Sequence, residues 1–229
     1  MPTLLEGRPA GAVNLVAGRL CLDFVNSVGA RRVSTSGEVT IRDEKLSDYL
    51  DLLAWARHAR AFTDNESKSL AREYMSRVDE ADTIFHRAFR LRESLYRIFR
   101  AILLKKNAER LHLHVLNEEL RLARAAERLV AQKDNFAWQW HAHDLSLDRV
   151  VWSVTRSAAE LLTQGDLTRL RQCQGDDCGW IFEDASRNRG RRWCDMRDCG
   201  NIAKVRRFRT RQNKNSRQRN VAPFARGPN

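Results

Sequence analysis

Apolar residues in the first 165 positions recur mostly at three- and four-residue intervals, the spacing of one helical face, and predict a helical body. Residues 15–28 are mainly apolar, and Leu20, Phe24, Val25 and Val28 fall near one side of a helix. Residues 31–41 mix small, polar and β-branched types around Gly37 and read as a surface loop. Leu46, Tyr49, Leu50, Leu53 and Ala54 form the stripe that a second helix would bury. In Thr63-Asp64-Asn65-Glu66 the threonine can cap a helix start while the glutamate reaches back to it, so a third helix begins there.

The longest run lies within residues 81–106, where Ile84, Phe85, Ala88, Leu91, Leu95, Ile98, Phe99, Ile102 and Leu103 keep helical spacing for about seven turns. Leu113, Leu116, Leu120, Ala123 and Leu129 predict a further helix, with Arg121, Arg124, Glu127 and Arg128 on its wetter side. Phe136, Trp138 and Trp140 instead alternate with smaller or polar residues, so one short strand or hairpin is expected within 135–143. Helical spacing returns over 145–162 through Val150, Val151, Val154, Ala158, Leu161 and Leu162, and Gly165 suits a left-handed stop beyond it.

Charge changes the picture. Of 41 basic and 29 acidic residues, positions 1–186 hold 27 of each, whereas 187–229 hold 14 basic and 2 acidic. The whole excess of +12 therefore sits in the last 43 residues, the electrostatic footprint of a polyanion binder. Apolar stretches are short pieces such as 101–104, far below the roughly 20 residues of a membrane span. The first residues lack a basic start and apolar block, so the chain is expected in the reducing cytoplasm. No G-x-G-x-x-G, no G-x-x-x-x-G-K-[ST] and no G-x-S-x-G occurs, and no enzymatic activity is expected.

Cys21 stands alone, but Cys173-x4-Cys178-x15-Cys194-x4-Cys199 gives two close pairs separated by a loop of finger length. Four thiolates would close a tetrahedron around one structural zinc ion, leaving no open position for catalysis. Such a cross-link stabilises a polar segment too small to raise a core. The bland alternative is four small buried hydrophobes. Arg191, Arg192 and Lys204 argue against it, since they would offset the charge of a four-thiolate centre.

Cys178-Gly179-Trp180-Ile181-Phe182-Glu183-Asp184-Ala185-Ser186-Arg187-Asn188, with Arg191-Arg192-Trp193-Cys194-Asp195-Met196 and Cys199-Gly200-Asn201, resembles the CGNR zinc finger. Leu20-Cys21-Leu22-Asp23-Phe24-Val25-Asn26 is similar to the opening of the ABATE domain usually fused to that finger in bacteria. The resemblance implies a stress-induced transcriptional regulator with a helical sensing or assembly domain and a DNA-binding finger. One departure stands out: the motif's final arginine is Ile202 in this chain.

The expected fold is mainly α: a helical N-terminal domain over 1–165 with a short β-hairpin, and a small four-cysteine finger with a basic helix over 166–211. Residues 212–220 contain no apolar side chain, so a disordered basic tail is expected over 212–229. Ile202, Val205 and Phe208 share one side of the basic helix and would pack on the finger. Nucleic-acid contacts are then expected from Arg187, Arg189, Arg191, Arg192, Lys204, Arg206, Arg207, Arg209 and Arg211. DNA is the favoured partner. RNA stacked on Trp180, Trp193 and Phe208 is the alternative, and docking on an acidic protein a third. The helical body would sense a small-molecule effector or form a homodimer.

Other features read as structural. Cys21 lies among Leu20, Leu22 and Phe24 as a buried small hydrophobe. Asp23 and Asn26 interrupt an apolar run as a cap or a ligand contact, with structure favoured. His112 with His114, and His141 with His143, lack a cysteine or carboxylate partner that would make a second metal site. Trp55, Trp138, Trp140 and Trp152 are expected in the core rather than around a ligand.

Overall fold

The computed structural model describes residues 4–34, 36–141 and 145–219. Among these, α1 (Leu20–Val25), α2 (Tyr49–His58), α3 (Asp64–Ser76), α4 (Val78–Leu103), α5 (Arg110–Ala126) and α6 (Arg149–Gln164) build a mainly α body. Three two-stranded antiparallel sheets accompany it: β1 (Val28–Val33) with β2 (Val39–Glu44), β3 (Glu127–Ala131) with β4 (Phe136–Trp140), and β5 (Leu170–Gln172) with β6 (Ile181–Glu183). A final helix, α7, runs from Asn201 to Arg219.

α4 is the axis, about 39 Å long at 1.5 Å per residue. It buries Ile84, Leu91, Leu95, Ile98 and Phe99 against α1, α2, α5 and α6. α3 begins with the expected reciprocal cap: Thr63 Oγ1 accepts from the Glu66 N–H at 3.2 Å, and Glu66 Oε2 accepts from the Thr63 N–H at 2.8 Å. Asp48 caps α2 by accepting from the Asp51 N–H at 2.7 Å.

Three expectations are corrected. Residues 31–41 are not a loop but most of a hairpin, with Arg31 opposite Ile41 and Val33 opposite Val39, turning at Gly37 with φ +88°. Its alternation is hidden because a core-facing place in β1 is filled by Arg31, whose fully buried guanidinium pairs with Glu93 at 2.5 Å and lies over the Tyr96 ring. Leu129 belongs to β3, opposite Trp138, and α5 stops at Ala126 without a glycine or proline to announce it; the pairing partner β4 decides the change. Gly165 is extended, at φ −78° and ψ 156°; a Cβ there would lie 2.5 Å from the Leu161 carbonyl oxygen, so close approach, not a left-handed turn, requires glycine.

The C-terminal segment does not stand apart from the body. Leu170, Cys173, Trp180, Ile181, Phe182 and Cys194 belong to the same buried cluster as α1, α2, α4 and α6. Asn26 at the end of α1 acts as a substitute strand residue: its amide donates to the Ile181 carbonyl at 2.8 Å, and its oxygen accepts the Ile181 N–H at 3.1 Å. The Trp180 indole donates to the Val28 carbonyl at 2.9 Å, the Arg31 N–H to the Cys178 carbonyl at 2.9 Å, and the Glu183 N–H to the Ala17 carbonyl at 2.9 Å.

Candidate metal centre and nucleic-acid interface

The β5–β6 hairpin carries the first cysteine pair on the loop between its strands, Cys173 just after β5 and Cys178 three residues before β6. Gly179 lets that loop reach the body: its φ is +69°, and a Cβ would sit 2.3 Å from the Arg31 carbonyl oxygen. Of the second pair, Cys194 lies two residues before a single wide turn, Met196–Gly200, and Cys199 lies within it; the turn leads directly into α7. Asp195 fixes the turn by accepting the Arg197 N–H at 2.8 Å.

These elements bring all four sulfurs within 4.8 Å of one another. Cys178 Sγ and Cys194 Sγ are 3.6 Å apart, as are Cys194 Sγ and Cys199 Sγ. A tetrahedral centre with Zn–S bonds of about 2.3 Å has sulfur–sulfur edges of roughly 3.8 Å, close to those two separations, so the donor set fits zinc. Gly175 and Cys194 point backbone N–H groups at Cys173 Sγ, at 3.4 and 3.3 Å. Hydrogen bonds from the Cys178 and Cys194 thiols pull Cys173 far below the ordinary thiol range, and proximity to Cys173 pushes those two thiols up. One divalent cation would stabilise all four as thiolates. The four cysteines are positioned to hold one structural zinc ion.

The arginines divide into two groups. Arg191 faces inward: its guanidinium donates to the Val16 carbonyl at 2.8 Å, to the Trp193 carbonyl at 3.1 Å and to the Cys194 carbonyl, and stacks 4.2 Å from the Phe182 ring. Arg189 reaches Asp166 and Thr168 at 3.2 Å, and Arg192 donates to Gln174 at 2.7 Å. Arg206 pairs with Asp176 of the first cysteine loop. Arg187, Lys204, Arg207, Arg209 and Arg211 are exposed. Ile202, Val205 and Phe208 are exposed as well, at 47%, 40% and 60%, so the apolar side of α7 is not buried on the finger, although Ile202 lines a cavity beside it. α7 also continues through residues 212–219, where a disordered tail was expected. Arginine, lysine and glutamine are good helix formers, and elongating a started helix costs little. The rest of that tail, 220–229, lies outside the described residues.

Two family profiles match. The first, ABATE, described as "Putative stress-induced transcription regulator", matches residues 18–165, well over half of the sequence. The chain belongs to that family. The second, the CGNR zinc finger, matches residues 169–212 of this ABATE-family chain. Comparison with curated proteins found no match.

Both families are of regulator and zinc-finger type. Among the described residues the four cysteines are the one cluster suited to a metal; His143 lies outside them. Cys21 is fully buried, and burial pushes its thiol up to about 12, which suits packing and not reactivity. No described helix is long and apolar enough to cross a membrane. Trp55 and Trp152 are core residues, but Trp138, expected in the core, is 53% exposed and lines an open surface cavity with Glu66, Trp140, Leu145 and Arg149.

Sequence reasoning favoured a structural role for Asn26 but did not find its partner, Ile181, 155 positions on, and it missed Arg31 altogether. A polar side chain inside an apolar run was the available signal for Asn26. Nothing local distinguished Arg31 from Arg32, which is exposed and pairs with Asp177.

Proposed function

We propose that this chain is a cytoplasmic transcriptional regulator that binds duplex DNA through α7, with one zinc ion organising residues 173–199. The carrying observation is the construction of α7: Lys204, Arg206, Arg207, Arg209 and Arg211 occur on its first 12 residues with no acidic residue among them, and its first turn grows out of the cysteine centre. Zinc supplies the cross-link that sets where the helix begins and how it leaves the body. Arginine forks on such a helix can position on phosphates or read guanine edges. Arg187 and Arg192 extend the cationic surface onto the finger, while Arg189 and Arg191 support its fold.

The RNA alternative loses ground because Trp180, one of its stacking candidates, is buried with its indole N–H bonded to Val28. The test is a salt titration of labelled random-sequence duplex against zinc-loaded and chelator-stripped protein. A steep slope that weakens on stripping supports a metal-organised phosphate grip. A slope unchanged by zinc would refute the finger's role, and absence of duplex binding would refute the reading itself.

A further inference from the structure

α7 combines two properties that a solvated basic helix does not need together. At about 100° per residue, Ile202, Val205 and Phe208 occupy one arc of about 120°. All three are exposed; at one end of the strip Ile202 also lines, with Arg206, a cavity against Asp176 and Trp193 of the finger, while Val205 and Phe208 lie clear of it. Arg209 projects within the same arc, Arg206 borders one edge, and Lys204 and Arg211 lie beyond the other. An apolar strip is thus set between cations.

A second copy is a poor occupant of this strip, because pairing would bring two helices of like charge together with no acidic residue on residues 201–212 to offset them. The complementary object has apolar groups recessed between two rows of anions. The major groove has that form: it is about 12 Å wide, admits one helix, and presents thymine methyl groups between phosphate rows.

We propose that Ile202, Val205 and Phe208 read thymine methyl groups in the major groove while Lys204 and Arg206, the latter exchanging its exposed pair with Asp176 for a phosphate, hold the flanking phosphates. This rests on the duplex-binding reading above and adds what it lacks, a basis for base preference. Arg209, on the same face, is placed to reach base edges beside the methyl contacts. Burying one methyl-sized group is worth about a factor of four in affinity, so one to three contacts give between about fourfold and sixtyfold.

The test uses the zinc-loaded full chain and a duplex selected with it from a randomised pool, remade with deoxyuridine in place of every thymidine. The uracil duplex should bind about fourfold to sixtyfold more weakly at one salt concentration, with the salt slope unchanged. Phe208→Ala, at an exposed site whose folding is checked by zinc stoichiometry, should lower affinity for the thymine duplex and shrink the thymine-to-uracil ratio. Equal binding of both duplexes would overturn the proposal while leaving duplex binding intact, as insertion into the minor groove would. Selection without enrichment would overturn it likewise. No binding to any duplex would end both readings.

Discussion

Replacing Asn26 with alanine should loosen the finger from the helical body, although the residue lies 147 positions before the first zinc ligand. The side chain is 1% exposed and makes two hydrogen bonds to the main chain of Ile181, which is fully buried. Truncation leaves the Ile181 N–H and carbonyl without partners and out of reach of bulk water. At about 1–3 kcal/mol for each stranded group, the loss should be about 2–6 kcal/mol, large against a typical domain stability of about 5–15 kcal/mol. Asn26→Asp is a sharper probe: it keeps an acceptor for the N–H but turns a carboxylate oxygen toward the Ile181 carbonyl, and should cost at least as much. Urea denaturation of the zinc-loaded chain, followed by circular dichroism at 222 nm, gives the free energy. Transfer of zinc to a chelator should also accelerate in both variants. Stabilities within about 0.5 kcal/mol of the parent for both, the range of ordinary surface changes, would show that Asn26 does not anchor the finger.

Cys194→Ser should abolish tight zinc binding and, because Cys194 shares a core with Phe182 and α4, lower the denaturation midpoint of the whole helical signal; an unchanged midpoint would mean that the body folds independently of the finger. Arg191→Ala should cost about 2–4 kcal/mol, since at least two part-buried carbonyl contacts and a ring contact disappear, with little change in the salt slope of duplex binding. Arg207→Ala should do the reverse, leaving stability within about 0.5 kcal/mol and reducing the slope by about 0.9; exchanged phenotypes would invert the assignment of inward and outward arginines. Burial raises the Asp23 carboxyl from 3.8 to about 6, against hydrogen bonds from the Ala17 and Val16 N–H groups. The folded chain therefore holds a proton that the unfolded chain releases between those values, and stability should fall as pH rises from about 4 to 6 relative to Asp23→Asn; parallel stability curves for the two proteins would refute this.

Helical spacing made the body legible because its helices are amphipathic and their caps local: the stripe of Leu46, Tyr49, Leu50, Leu53 and Ala54 is buried or nearly so, and Thr63 and Glu66 cap as their types require. The metal centre was legible for a different reason, since ligand type and spacing are themselves the chemistry. What escaped were decisions made by distant partners. Arg31 occupies a strand position that apolar patterning reserves for a hydrophobe, because Glu93, from the long core helix, neutralises it there. The β3 strand follows α5 without punctuation because β4 supplies its hydrogen bonds. Ile202, Val205 and Phe208 show the converse error: helical spacing revealed their common side but could not say whether anything would cover it.

The backbone and side-chain bonds from Ala17, Asn26, Val28 and Arg31 to residues 178–183 also couple zinc affinity to the stability of the body. Any molecule that binds the folded body and is coupled to the metal must raise zinc affinity by the factor by which zinc raises that molecule's own affinity. A screen for such molecules needs no operator sequence and no transcription assay. Slower loss of the metal to a competing chelator would report them, with the zinc ion serving as a resident gauge of events in the helical body.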